Sequence, residues 1–190
     1  SDFSGIVLKA AARGALASVQ TFVAAHPAWV RQVGPHARTM VWEAAYMGRL
    51  SVVEYLLSRG VELDQPGCYY TPMLAEVSPR TAARLQGHDD VAHVFEQRGD
   101  ATDLHDACYL GDADFALRSN QLLSSPPPAS APTFSAVAGA RSDVVAALLT
   151  VRPKSQACDG LLLRWAAWRG NLEIIDRLLA CGANPNDSGI

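Results

Sequence analysis

The sequence predicts an all-α protein in which pairs of short antiparallel helices stack side by side. Three observations support this prediction: one well-formed helix pair, a close copy near the C-terminus, and weaker copies between and before them. In the well-formed pair, between Thr39 and Asp64, two runs with apolar residues at helical spacing end at Gly48 and Gly60. Glycine supplies the left-handed residue that ends a helix. One such pair buries too little apolar surface to fold alone, so it must stack on similar pairs.

The copy near the C-terminus, from Leu163 to Asn184, agrees with this pair at many fixed offsets. The two align when Gly170 is placed on Gly48, and their Ala-Ala pairs then coincide. The other matches are Val52-Val53 with Ile174-Ile175, Leu56-Leu57 with Leu178-Leu179, and Gly60 with Gly182. Chance does not readily produce agreement at so many positions.

This pattern resembles the ankyrin repeat, whose signature combines T-P-L-H-x-A with a glycine, a Val-Val pair, a Leu-Leu pair and Gly-Ala. The resemblance implies an ankyrin solenoid of about six repeats, with stacked antiparallel helix pairs and projecting hairpin loops. We expect a single array over residues 1–190, with approximate repeats at 5–36, 37–66, 67–99, 100–130, 131–159 and 160–190. We call the residue that ends the first helix of each repeat its anchor; the anchors are Gly14, Gly48, Gly87, Gly111, Ala140 and Gly170.

The first repeat is predicted from an alanine-rich run that ends at Gly14, 34 residues before Gly48 and close to the ankyrin period of about 33. Its second helix carries the apolar residues Leu16, Val19, Phe22 and Val23. Pro27 ends that helix, and the run Gly34-Pro35-His36-Ala37 predicts a turn before the second repeat.

The third and fourth repeats are irregular, because their anchors follow at intervals of 39 and then 24 residues. We expect an elongated hairpin or loop over Cys68–Val77, and then a helix pair over Ser78–Gln97 that begins at Ser78-Pro79. The fourth repeat keeps T-x-L-H-x-A over Thr102–Ala107 but has no room for its preceding hairpin. The candidate apolar positions of its second helix are Phe115, Leu117 and Leu122.

The last two repeats follow a proline-rich stretch, Ser124–Ser130, which predicts an extended connector. A site for a proline-recognising partner is the alternative, disfavoured because no PxxP motif is present. In the fifth repeat Ala140 takes the place of the anchor glycine. The sixth carries Leu172, Ile175 and Leu179 with no repeat after it in this sequence, so we expect exposed apolar surface or a partner chain there.

The composition narrows the class of protein. Hydrophobic residues make up 49% and charged residues 18% of the 190 residues, as in soluble globular proteins. A net charge of −3 gives no reason to expect a nucleic acid partner, and no apolar run approaches the length of a membrane span. The cysteines Cys68, Cys108, Cys158 and Cys181 are scattered and form no CxxC pair, which suits a reducing compartment, so we expect the cytoplasm.

Two groups are candidate sites of chemistry: a possible metal cluster around His88 and His93, and possible acid/base residues at Asp103, His105 and Asp106. His88 and His93, beside Asp89 and Asp90, are five residues apart, which does not place two metal ligands on one helix face. His105 occupies the histidine position of the family signature, so the resemblance implies a buried structural role with hydrogen bonds within and between turns. No nucleophile elbow and no phosphate-binding loop occurs. We therefore expect no enzyme activity, no catalytic or metal-binding residue, no cofactor and no small-molecule substrate.

The candidate functional residues are those just before each anchor, which by resemblance lie on the concave face where ankyrin proteins contact partners. They are Arg13, Tyr46, Met47, Gln86, Tyr109, Trp168 and Arg169, together with Trp165, and with Tyr69 and Tyr70 of the elongated hairpin as second candidates. Tyr, Trp, Met and Arg are enriched at binding interfaces. If these side chains face solvent, their replacement by alanine should change stability by no more than about 0.5 kcal/mol each. Packing against the irregular repeats is the other interpretation.

These observations predict a module that binds a protein partner through the concave ankyrin face, without catalysis. The alternative is a regulatory or targeting domain of a longer enzyme or effector whose catalytic part lies outside this chain.

Overall fold

A computed structural model describes residues 3–68, 76–100, 102–122, 131–151 and 160–186. These residues contain twelve α-helices, two short 3₁₀ turns and one two-stranded hairpin, which confirms the all-α prediction. By their internal contacts they form two compact halves, an N-terminal half up to residue 100 and a C-terminal half from residue 102. The single array over residues 1–190 stays a prediction.

The N-terminal half contains three helix pairs. Its elements are α1 Phe3–Arg13, α2 Leu16–Ala25, the 3₁₀ turns Pro27–Arg31 and Pro35–Ala37, α3 Met40–Tyr46, α4 Leu50–Ser58, β1 Gly67–Cys68, β2 Glu76–Val77, α5 Pro79–Leu85 and α6 Asp89–Gln97. The first helices α1, α3 and α5 lie side by side, and the second helices α2, α4 and α6 pack in the same order. Because α2 ends just before Pro27 and a 3₁₀ turn covers Pro35–Ala37, the predicted helix end and the predicted turn are confirmed.

The C-terminal half repeats this arrangement. Its elements are α7 Leu104–Leu110, α8 Ala113–Leu122, α9 Ala131–Ala138, α10 Ser142–Val151, α11 Gly160–Trp168 and α12 Leu172–Ala180. The first helices α7, α9 and α11 pack in a row, and α10 packs between α8 and α12. No helix of the described ranges is long and apolar enough to cross a membrane.

The helices begin and end where the side chains predict. Thr39, Ser78, Asp103 and Asn171 each accept a hydrogen bond from a backbone N–H in the first turn of α3, α5, α7 and α12. Every anchor has a positive φ, and this includes Ala140 at 56°, so alanine at that position adopts the left-handed conformation that glycine adopts elsewhere. The sequence alignment of the six anchors is thus confirmed in the backbone.

The buried core follows the predicted positions in the second helices, with one correction. Leu56 and Leu57 in α4 and Val91 and Phe95 in α6 are buried. In α8, however, Phe115 and Leu117 are only half-buried, and Ala116 between them is fully buried. Residues two apart lie on nearly opposite sides of a helix, so both cannot face the neighbouring helices at once. The side chain of Leu122 lies outside the described residues.

The predicted elongated hairpin of the third repeat has a β-paired base. Gly67 pairs with Val77 and Cys68 with Glu76, antiparallel, while residues 69–75 lie outside the described residues. The predicted helix pair over Ser78–Gln97 is confirmed as α5 and α6, and the predicted loss of the next hairpin agrees with the few residues between Gln97 and Leu104.

Candidate partner-binding surface

The structure places the predicted binding residues at the C-terminal ends of the first helices. We call the exposed residues of these ends the first-helix surface of each half. In the N-terminal half it consists of Arg13, Met47 and Gln86, and in the C-terminal half of Leu110, Trp168 and Arg169. Tyr46, Tyr109 and Trp165 are half-buried. Tyr69 and Tyr70 lie outside the described residues.

Tyr46 belongs to a structural stack, which corrects the expectation that its removal leaves stability unchanged. Its ring stacks on the buried Trp42 with centroids 5.2 Å apart. The guanidinium of Arg38 lies over both rings, 4.2 Å from the Trp42 centroid and 5.5 Å from that of Tyr46. Tyr46→Ala therefore removes a stacked contact of the folded state as well as any contact to a partner.

The same stack fastens the hairpin base to α3. Arg38 Nε donates to the carbonyl oxygen of Cys68 at 2.8 Å, and Trp42 Nε1 donates to that of Val77 at 2.9 Å. Arg38 also pairs with Glu43 at 3.0 Å. The sequence offers no local signal for the first two contacts, because they join residues 30 and 35 positions apart.

The residue after an anchor lies over the anchor of the preceding repeat. Arg49 donates from Nε to the carbonyl oxygen of Ala12 at 2.9 Å, and its side chain lies against Gly14. Arg141 makes the matching contact to the carbonyl oxygen of Tyr109 at 3.0 Å, beside Gly111.

At Gly48 the ring of His88 takes this place. A Cβ at residue 48 would lie 2.6 Å from its Nδ1. His88 therefore has a packing role between the second and third repeats.

In the fifth repeat the residue just before the anchor is Gly139, so the first helix contributes no side chain at that position. A Cβ there would overlap the carbonyl oxygen of Tyr109. Gly139 is thus required by the close approach of α9 to α7.

The C-terminal half carries an aromatic series on α9 and α11 that ends in an exposed tryptophan. Phe134 is buried and meets the edge of Trp165, with ring centroids 4.9 Å apart at 86°. Trp165 meets Trp168 in the same way, at 4.9 Å and 84°, and Trp168 is 74% exposed. The Arg169 guanidinium lies 5.6 Å from the Trp168 ring centroid, and Arg164, Trp165 and Trp168 line an open cavity of about 440 Å³.

His105 and His93 make ordinary structural contacts. His105 is half-buried, which corrects the expectation of full burial, and its Nδ1 lies 3.1 Å from Ser135 Oγ on α9. His93 Nδ1 lies 3.1 Å from Glu96 Oε2. Among the described residues no group of three or more His, Cys, Asp or Glu side chains is placed to hold a metal ion.

Glu96 and Glu173, both among the described residues, have lowered pKa values that are typical of ion pairs. Burial raises the pKa of Glu96, but the hydrogen bond with His93 and the charges of Arg84 and Arg80 outweigh it, so the pKa is lowered. Hydrogen bonds from Arg177 and then Ser142 lower the pKa of Glu173. A general acid near neutral pH needs the opposite shift.

Comparison with known proteins identifies the helix pair at the C-terminal end. Residues 161–189 match the profile of the ankyrin repeat family. No curated protein sequence matches the chain. The crystal structure of the human ASB11 ankyrin repeat domain is similar, with 23% identity over 95% of this chain and 85% of that chain, at a TM-score of 0.48.

The matched segment spans α11, its anchor and α12. The other five helix pairs have the same order of helix, positive-φ anchor and helix. Residues 161–189 thus form an ankyrin repeat, and the other five helix pairs are built on the same plan.

Proposed function

We propose that this chain binds a protein partner through the first-helix surface, the face that corresponds to the concave ankyrin face. Ankyrin repeats in general are protein–protein interaction modules. The observation that supports the proposal most strongly is Trp168, which is 74% exposed beside Trp165 and two arginines. Trp and Arg dominate the energetics of protein interfaces.

The two halves contribute differently to this surface. Met47 in the N-terminal half is 40% exposed and Leu110 in the C-terminal half is 42% exposed, each at the end of a first helix. Arg13 and Gln86 flank Met47 on the neighbouring helices α1 and α5. These four are secondary contacts, because none is a large aromatic anchor of the kind that Trp168 provides.

The proposal includes no catalytic step, no metal and no cofactor. The ankyrin fold is typically non-catalytic. The net charge of −3 disfavours a nucleic acid partner.

We place this binding in the cytoplasm. Cys68 and Cys181 are free thiols, as expected for a protein of a reducing compartment.

A quantitative pull-down tests the proposed surface. The wild-type chain and the variants Trp168→Ala and Met47→Ala are immobilised, and bound proteins are measured by mass spectrometry. Leu172→Ala is the matched control, because Leu172 is also 74% exposed but lies on the second helix α12. We expect Trp168→Ala to lose the specific partner and Leu172→Ala to keep it. Equal capture of the partner by Trp168→Ala and by Leu172→Ala would contradict the proposal.

A further inference from the structure

The face of α11 around Trp165 and Trp168 has the shape of a binding site for a short segment. The two indole rings meet nearly at right angles, and the cavity beside them holds about 440 Å³. This volume is in the range of pockets that receive small ligands or a few side chains.

The rings of this site are held in place before any partner arrives. Trp165 is braced by the buried Phe134, and Trp168 is braced in turn by Trp165. Binding to such a site costs little conformational entropy, because the side chains are already ordered. Trp168 then offers a large apolar contact at low entropic cost.

The charges around this site are positive. Arg164 lines the cavity, and the Arg169 guanidinium lies 5.6 Å from the Trp168 ring. Neither α9 nor α11 contains an Asp or Glu residue. Glu173, at the start of α12, is paired with Arg177 at 2.9 Å. The surroundings of the tryptophans therefore complement a carboxylate-bearing partner.

We propose that this face binds an acidic peptide segment of a partner protein. An aromatic or large aliphatic side chain of the segment enters the cavity beside Trp165 and Trp168, and a flanking carboxylate pairs with Arg169. This inference rests on the proposed function and specifies the chemistry of its partner.

Single-stranded nucleic acid is the competing occupant, because bases also stack on tryptophan. Nucleic acid brings a phosphate with every nucleotide, so its binding needs a basic groove along the strand. The chain has a net charge of −3, and the described cavity lining contains one arginine. These charges favour a peptide that carries a few carboxylates around one apolar residue.

Selection from a library of short random peptides displayed on phage tests the inference with the full chain as bait. We expect the enriched peptides to carry Asp and Glu around one aromatic or large aliphatic residue. The most enriched peptide is then labelled and titrated by fluorescence anisotropy, with labelled oligo(dT) as the nucleic acid probe. Added salt should weaken peptide binding, because the arginine–carboxylate pair is exposed to solvent.

Substitutions at the site and at a control position should change the affinity for the selected peptide by different factors. Trp168→Ala should weaken the selected peptide about 30-fold, as for an interface hot spot. Arg169→Gln should weaken it about 10-fold and remove most of the salt dependence. Leu172→Ala should leave the affinity within about twofold of wild type, since exposed sites away from an interface contribute little.

The outcomes separate this inference from the proposed function. If the enriched peptides are neutral or basic but still need Trp168 for binding, the inference that the peptide is acidic is overturned. The protein-binding proposal then stands. Tight binding of oligo(dT) without peptide enrichment, or the absence of any enriched peptide, also overturns the inference. Selected peptides that bind Trp168→Ala as tightly as wild type overturn both proposals, provided that circular dichroism shows the variant to be folded.

Discussion

The contact of His88 with Gly48 leads to a prediction that can be worked out quantitatively. Gly48→Ala should destabilise the protein in two ways: alanine must adopt a φ near +67°, and its Cβ must enter space that the imidazole of His88 occupies. The left-handed conformation costs a non-glycine residue about 1–2 kcal/mol. Displacing a packed ring adds about 1–3 kcal/mol, as in other overpacked sites.

Gly60→Ala is the matched control for this substitution. Gly60 has a φ of +72°, close to that of Gly48, but a Cβ there would meet no atom within 4 Å. Its cost is therefore the backbone term alone, about 1 kcal/mol once the reduced freedom of the unfolded chain is included. We expect Gly48→Ala to be the more destabilising of the two by about 1–3 kcal/mol.

A double-mutant cycle isolates the ring contact. In a His88→Ala background the space above residue 48 is empty, so Gly48→Ala should cost about as much as Gly60→Ala. Urea unfolding followed by circular dichroism measures the free energy of unfolding. An unchanged m-value shows that the free energies of the variants can be compared directly. If Gly48→Ala and Gly60→Ala cost the same, or if His88→Ala leaves their difference unchanged, the packing role of His88 is refuted.

Three further substitutions test the core, the fifth anchor and the ion pairs. Leu56→Ala should cost about 2–5 kcal/mol, because Leu56 is fully buried, whereas Leu172→Ala on the exposed side of α12 should change stability by no more than about 0.5 kcal/mol. Ala140→Gly should stabilise the protein by about 0.5–1 kcal/mol, because it relieves a φ of 56°. The hydrogen bond with His93 and the charge of Arg84 lower the pKa of Glu96 below 4.5 in the folded state, so these contacts stabilise at neutral pH and are lost as the pH falls through the folded pKa. Glu96→Gln should accordingly cost up to about 1 kcal/mol at pH 7, and progressively less as the pH falls below 4.5.

All three effects are measured by urea unfolding, the last as a function of pH. Equal losses for Leu56→Ala and Leu172→Ala would show that the buried face of the second helices is assigned wrongly. A loss of stability in Ala140→Gly would mean that alanine makes a packing contact there which outweighs its backbone strain. A destabilisation by Glu96→Gln that persists unchanged at low pH would exclude the ion pair as its cause.

The sequence predicted best where the determining contact is local. Ser78-Pro79 was predicted to begin a helix, and Ser78 Oγ does accept a hydrogen bond from the backbone N–H of Thr81 three residues later. The anchors were likewise predictable, because a helix end needs a left-handed residue within its own turn. Burial of the Leu56-Leu57 pair followed from helical spacing alone.

Prediction from sequence was weaker where the partner of a side chain is distant. Tyr46 looked like an exposed hot spot, but its stacking partner Trp42 is itself ordered by Val77, 35 residues further along the chain. His105 was expected to be buried and to hydrogen-bond within and between turns; it is half-buried, and its contact with Ser135, 30 residues away, depends on how α9 packs on α7. Trp168 was predicted as a binding residue, but its bracing by Trp165 and Phe134 depends on how α9 and α11 pack.

The contacts made by residues that follow the anchors restrict the order in which the repeats can be joined. Arg49, His88 and Arg141 each need a neighbour that lacks a side chain at its anchor, and Gly14, Gly48 and Gly111 provide this. The fifth repeat ends its first helix with Ala140 and is followed by Asn171, whose side chain caps its own helix. A rearranged chain in which the second repeat directly follows the fifth would therefore place Arg49 against a methyl group. The repeats of this protein are consequently not equivalent at these contacts, and we expect recombination between repeats to be tolerated best at junctions where the two side chains are compatible.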